Sequence, residues 1–273
     1  MQTKAVIQVN HSQIYYEQKT GGPKTLIFLH PSSSSCSIWE HQWLAPEFAP
    51  YSCIRLDLPG HGQSSHSQDP EKEYTLKSIG EQLQAFITEL SIDEYIIITL
   101  SISANFIAEV APQLQKCKGF FMAGAPITAK DITPVDILQP FEFGDVLFTP
   151  EPVQQRLENY ISNLILTDAP QMLWSLLTDF KRTDKAYRKY MGQCIQLGQW
   201  SDEAQQLCQA GKPVALVYGR EEKIIKKDYL LIVSLPKWQH KIHIMDQAGH
   251  LCNLDQPKLF NHYLSDFAKD IFQ

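Results

Sequence analysis

Tyr95-Ile96-Ile97-Ile98-Thr99-Leu100-Ser101-Ile102-Ser103-Ala104-Asn105 is the stretch on which the reading of the fold turns. A β-branched, apolar run stops abruptly at a serine, and a helix-like segment through Phe106, Ile107, Ala108 and Val110 follows. Strand, sharp turn and helix in that order lift one hydroxyl above the carboxyl edge of a parallel sheet. The usual form of such a turn is G-x-S-x-G, because small neighbours let strand and helix approach closely around a strained residue. Here it reads Thr99-Leu100-Ser101-Ile102-Ser103, with both glycines replaced. Alone, the match is weak, since a buried strand followed by an N-cap serine reads equally well. Ser103 is the rival hydroxyl, but its +2 neighbour would be Asn105, bulkier than the turn tolerates, so Ser101 is favoured.

The segments around it alternate strands with helices. Val6–Val9 and Gln13–Gln18 read as a hairpin turning at Asn10-His11-Ser12. Thr25–Leu29 is a continuous apolar run of the kind found in buried parallel strands, and it ends in His30-Pro31-Ser32-Ser33-Ser34-Ser35. Ser52–Leu56 runs into the turn Asp57-Leu58-Pro59-Gly60-His61-Gly62. Residues 75–90 carry apolar side chains at helical spacing. After the serine turn come strands at Gly119–Met122, Pro213–Tyr218 and His240–Met245, then a final helix over Pro257–Phe272. Between about 127 and 211 no strand is evident, and segments such as Val153–Leu166 and Gln171–Phe180 read as helical. This pattern predicts an α/β fold with a doubly wound, mostly parallel sheet. Residues 1–126 and 212–273 form the core, and 127–211 form a helical cap inserted between two late strands.

Composition narrows the function. A chain of 273 residues, 44% hydrophobic, can bury a full core. A net charge of −6 without a dense Lys/Arg cluster argues against nucleic acid or an anionic membrane as partner. No apolar run approaches the roughly 18 residues of a membrane helix. The first residues lack a signal-peptide layout, and six cysteines lie scattered without a C-x-x-C pair. A cytoplasmic protein with reduced, packing thiols is the expectation.

A nucleophilic serine needs a base, and the base an orienting acid. Tyr218-Gly219-Arg220-Glu221-Glu222 follows one late strand and Ala248-Gly249-His250 the last, giving the chain order serine, acid, histidine. Three loops at strand carboxyl ends in that order are far more specific than the serine turn alone. Gly249 and the strand order favour His250 as base over a turn histidine. Glu222 is preferred as the acid on loop position, with Glu221 and Asp131 as rivals and Asp246 too close before His250. A developing oxyanion needs donors: the N–H of Ile102, following the serine, and that of Ser32, because Pro31 has none. His30, His61 and Asp57 read as loop-fixing residues.

On these residues the chain resembles the α/β-hydrolase superfamily throughout. Within it, the serine run after His30, Gly124-Ala125-Pro126, Arg182-Thr183-Asp184 and Gly219-Arg220 with Glu222 look most like the metal-independent N-acyl-homoserine lactonases. The resemblance implies a serine hydrolase opening an ester or lactone through an acyl-enzyme, with no cofactor or metal and a small-molecule substrate. It implies Ser101 as nucleophile, His250 as base, Glu222 rather than aspartate as the acid, and Tyr160 as a cap residue reaching the substrate. A packed core tyrosine is an equal reading of Tyr160. The sequence departs from the family at Pro31, Thr99 and Ser103, where glycines are usual. Those departures motivate the other reading, a hydrolase-shaped protein that binds a small ligand without turning it over.

Overall fold

The computed structural model describes residues 2–167 and 169–273. Eight strands form one sheet in the order β1-β2-β4-β3-β5-β6-β7-β8. They are β1 (Gln2–Val9), β2 (Ser12–Lys19), β3 (Lys24–Leu29), β4 (Ser52–Leu56), β5 (Glu94–Leu100), β6 (Cys117–Ala123), β7 (Val214–Gly219) and β8 (Lys237–Met245). The hairpin β1–β2 is antiparallel and joins β4 antiparallel, whereas β3 to β8 pair in parallel. The hairpin turn is tighter than its sequence suggests. Ser12 pairs with Val9, leaving Asn10-His11 alone in the turn with Asn10 at φ 51°, as a two-residue hairpin of matching twist requires.

β3 and β5 lie side by side at the centre, and Leu26–Leu29 and Ile96–Ile98 are buried completely or nearly so. Buried on both faces, such strands carry no polar alternation. Helix Leu76–Glu89 is capped by Thr75, whose hydroxyl accepts the Ser78 N–H, and packs Ile79, Leu83 and Phe86 into the core. Gly80 lets this helix touch helix Ser103–Glu109, since a Cβ there would sit 2.3 Å from the Phe106 carbonyl.

Between β6 and β7 the described residues hold helices Pro134–Ile137, Gln154–Ser162, Pro170–Arg182, Lys185–Gln196 and Glu203–Ala210. The expected helix over Val153–Leu166 stops at Ser162, and the one expected at Gln171–Phe180 runs on to Arg182. Pro170 opens the latter, where its missing N–H is harmless. Helix Glu203–Ala210 packs on helix Ser103–Glu109 beside the sheet. Among the described residues no helix is long and apolar enough to cross a membrane.

Candidate active site

β5 ends at Leu100, and Ser101 turns the chain at φ 58°, a left-handed conformation costing a non-glycine residue roughly 1–3 kcal/mol. Its N–H is fixed 2.8 Å from the Ala123 carbonyl of β6. Ser103 is no rival. Its hydroxyl is fully buried, accepts the Leu100 N–H at 2.9 Å and faces the Leu29 and Leu100 carbonyls at 3.1 and 3.0 Å. It replaces the family glycine with a strut from the turn to β3. Thr99, at the other glycine position, is also buried, and its hydroxyl has no partner.

Ser101 Oγ lies 3.0 Å from His250 Nε2, and His250 Nδ1 lies 2.8 Å from Glu222 Oε2. With Nδ1–H donating to the carboxylate, Nε2 is free to accept the serine proton. The second oxygen of Glu222 accepts the Ile224 and Ile225 N–H groups at 2.7 and 3.2 Å. Burial pushes the Glu222 carboxyl up, but the charge and hydrogen bond of His250 and the two amides prevail and hold it below its ordinary value. The rivals stand elsewhere. Glu221 accepts the Ala248 N–H, Asp246 pairs with Arg220 and Asp131 is exposed. Gly124, at φ 56°, lies under the imidazole, and a Cβ there would stand 3.2 Å from His250 Cε1.

The loop bearing His250 is tied to the helical insertion. Leu251 N–H donates to the Leu164 carbonyl, and Asp255 accepts Gly249 N–H on one oxygen and Leu166 and Thr167 N–H on the other.

Two neutral histidines shape the loop after β3. His30 Nε2 accepts the Leu58 N–H and its Nδ1–H donates to Pro31 O; His61 Nε2 accepts the Ser33 N–H and its Nδ1–H donates to Pro59 O. Burial lowers both pKa values, which keeps the accepting nitrogens unprotonated. Asp57 accepts the Cys36 and Gln63 N–H groups, both at 2.7 Å. All three fix loops. Among the described residues neither Ser32 N–H nor Ile102 N–H donates to another protein group, and both residues line the cavity at Ser101.

Two cavities meet at Ser101 and His250. The larger, about 720 Å³ of open space, is walled mainly by apolar side chains, among them Ile137, Leu138, Phe148, Ile195, Trp200 and Ile224. The smaller, about 400 Å³, is lined by Ser32, Ser33, Ser34, Tyr160, Ile161 and Leu164. Tyr160 is therefore both packed and at the site: it is buried, touches the Phe141 ring, and faces this cavity. Trp174, in helix Pro170–Arg182, is exposed and lines neither cavity.

Two supports escape sequence reading. Gln139 Nε2 donates to the Glu222 carbonyl at 2.6 Å, pinning the acid's loop from the insertion. Glu203, wholly buried, accepts both Asn105 Nδ2–H and Thr128 N–H beneath the larger cavity. Burial and nearby Glu109 push its carboxyl up to about 8 despite these donors. A glutamate in the first turn of a helix reads simply as a dipole partner, so no signal marked it.

A mostly parallel sheet with serine, histidine and glutamate converging at its carboxyl edge defines an α/β protein built around a sharp strand–serine–helix turn. The chain belongs to the α/β-hydrolase fold family, whose model matches residues 24–257. It is similar to the dihydrolipoyllysine-residue acetyltransferase component of the acetoin cleaving system of Cupriavidus necator, 25% identical over 270 residues, 94% of this chain. The chain spans only 66% of that relative's length. Among solved structures it resembles the N-acyl homoserine lactonase AidH complexed with N-butanoyl homoserine, at TM-score 0.90 and 23% identity, covering 99% of this chain and 98% of that one. An esterase from Exiguobacterium antarcticum aligns at TM-score 0.80 and 14% identity, over 98% and 100% of the two chains.

Proposed function

We propose that the protein is a metal-independent serine hydrolase that opens carboxylic esters or lactones, with N-acyl-homoserine lactones as its substrate class. The observation that carries this reading is the continuous contact from Ser101 Oγ through His250 to Glu222, at 3.0 and 2.8 Å. Ser101 attacks the carbonyl carbon while His250 Nε2 takes its proton and Glu222 steadies the imidazolium. The carbonyl oxygen, now negative, is held by the N–H groups of Ser32 and Ile102. The C–O bond to the alcohol breaks as His250 returns the proton to the leaving oxygen. In a lactone that alcohol stays attached as the tail of the acyl group. Water, deprotonated by His250, then attacks the acyl-enzyme and releases the carboxylic acid.

The apolar cavity suits an acyl chain, and Tyr160 in the smaller cavity suits the polar end of the substrate. Residues 127–211 would then act as the cap over the acyl chain. Likeness to a lactonase captured with N-butanoyl homoserine supports the lactone class, and opening such signals would quench quorum sensing. Six free cysteines, five of them buried, suit a reducing cytoplasm.

The test is labelling by a fluorophosphonate, followed by hydrolysis of acyl-homoserine lactones of several chain lengths beside p-nitrophenyl esters. Labelling lost in Ser101→Ala and turnover of lactones are expected. Turnover of short esters alone would remove the lactone assignment. An unlabelled wild type would leave a ligand-binding protein of hydrolase shape.

A further inference from the structure

Arg188, in helix Lys185–Gln196, is 2% exposed, yet every hydrogen-bond partner it has among the described residues is neutral. Its Nε donates to Thr149 O at 3.1 Å, Nη2 to Pro150 O at 2.7 Å, and Nη1 to Phe180 O at 3.1 Å. The guanidinium carbon lies 4.1 Å from the centre of the Phe180 ring. Burial lowers its pKa to about 10, which leaves it charged at neutral pH. Asp184 and Glu151 attract it without bonding to it. Asp184 caps its own helix at Ala186 N–H and Glu151 pairs with Lys185. A buried cation whose hydrogen bonds all go to neutral groups is expensive to keep.

The remaining contact of Nη1 is Ser33 Oγ, at 3.4 Å. Ser33 follows Ser32 directly and stands at φ 56°, a left-handed conformation that serine seldom takes. His61 holds its amide and Arg188 its hydroxyl, so the residue is gripped from the core on one side and from the insertion on the other.

We propose that Arg188 is a positioning residue for the oxyanion hole, locking Ser33, and through it the Ser32 N–H, while setting a positive charge behind the point where the carbonyl oxygen becomes negative. The inference rests on the serine-hydrolase reading. A charge to which no carboxylate among the described residues hydrogen-bonds gains most from an anion that exists only during reaction, so its effect falls on the transition state rather than on substrate binding. Arginine suits the post better than lysine, because its planar fork serves four oxygens at once.

The experiment compares wild type, Arg188→Met, Arg188→Lys and Ser33→Ala on p-nitrophenyl butyrate, together with inhibition by butylboronic acid, which forms an anionic tetrahedral adduct on serine. Melting temperature monitors folding. In Arg188→Met, kcat should fall about 10- to 100-fold with KM within about threefold, and boronate affinity should fall in parallel. Arg188→Lys should recover part of both, and Ser33→Ala should lose several-fold in both. If Arg188→Met does not fold, Ser33→Ala and Arg188→Lys carry the test. Folded variants with wild-type kcat and boronate affinity, or with KM alone raised, would overturn the role of Arg188 while Ser101-dependent turnover by wild type upholds the hydrolase reading. A wild type that neither hydrolyses the ester nor binds the boronate overturns both.

Discussion

Glu222 Oε2 faces His250 Nδ1 at 2.8 Å while its Oε1 is already taken by the Ile224 and Ile225 amides. Two amides thus fix the carboxylate before it meets the imidazole. Glu222→Gln keeps the shape but removes the charge and permits the wrong tautomer of His250. We expect kcat to fall by about 10³- to 10⁴-fold with KM little changed, measured on an ester of good leaving group. Because the folded carboxyl titrates below its ordinary value, the stability it contributes is complete above the unfolded value of about 4.5 and is lost as pH falls through the folded one. The Gln variant should lose part of that acid-side decline.

The two serines of the turn should separate cleanly. Ser101→Ala should lower kcat by roughly 10⁶-fold and leave the melting temperature near wild type. Ser103→Ala strands the Leu100 N–H that its hydroxyl receives, so it should cost about 1–3 kcal/mol in urea unfolding and keep fluorophosphonate labelling. Labelling lost in Ser103→Ala and kept in Ser101→Ala would reverse their roles.

Thr99 buries a hydroxyl that meets no partner. Valine has nearly the same shape and no polar atom to leave dry, so Thr99→Val should stabilise the protein by about 1 kcal/mol. A higher urea midpoint with unchanged slope is the signature.

Gly124→Ala should act on chemistry more than on folding. Its left-handed φ costs alanine about 1–2 kcal/mol. The new methyl presses on His250 Cε1, so kcat should drop at least tenfold beyond any loss of folded protein. Nuclear magnetic resonance of the imidazole would show the displaced ring.

Glu203 sets a different pH window. Its folded carboxyl lies at about 8, above the unfolded value of 4.5. The folded state therefore holds the proton more tightly, and stability falls as pH rises between about 4.5 and 8. Glu203→Gln should flatten that slope in urea midpoints taken at successive pH values. An unchanged slope would place the titration elsewhere.

The alternation of strands with helices, and the loops that carry Ser101, Glu222 and His250, are legible in the sequence because each rests on local chemistry. Ile96–Ile98 and Leu26–Leu29 are too apolar to lie anywhere but a sheet buried on both faces, Gly219 closes β7, and Gly249 lies in the loop that follows β8. Glu222 was separable from Glu221 only by loop position, since the deciding contact spans 28 residues and depends on how β7 and β8 pair. In the sequence the departures at Thr99 and Ser103 read only as replaced glycines. In the fold Ser103 supplies hydrogen bonds that glycine lacks, a gain visible only once β3 lies beside it. Arg188 reads as one more cation in the run Lys181 to Lys189, because long-range burial leaves no trace in local periodicity. Helix ends in the insertion lie a few residues from where periodicity places them, because periodicity marks a buried face more sharply than its limits.

Asp255 grips the strand of chain before His250 with one oxygen and residues 166 and 167 of the insertion with the other. With the Leu251–Leu164 hydrogen bond, this carboxylate stitches the insertion to the loop that carries His250. On the proposed hydrolase reading, a shift of residues 166 and 167 would be handed through this carboxylate to Gly249, the residue just before the imidazole.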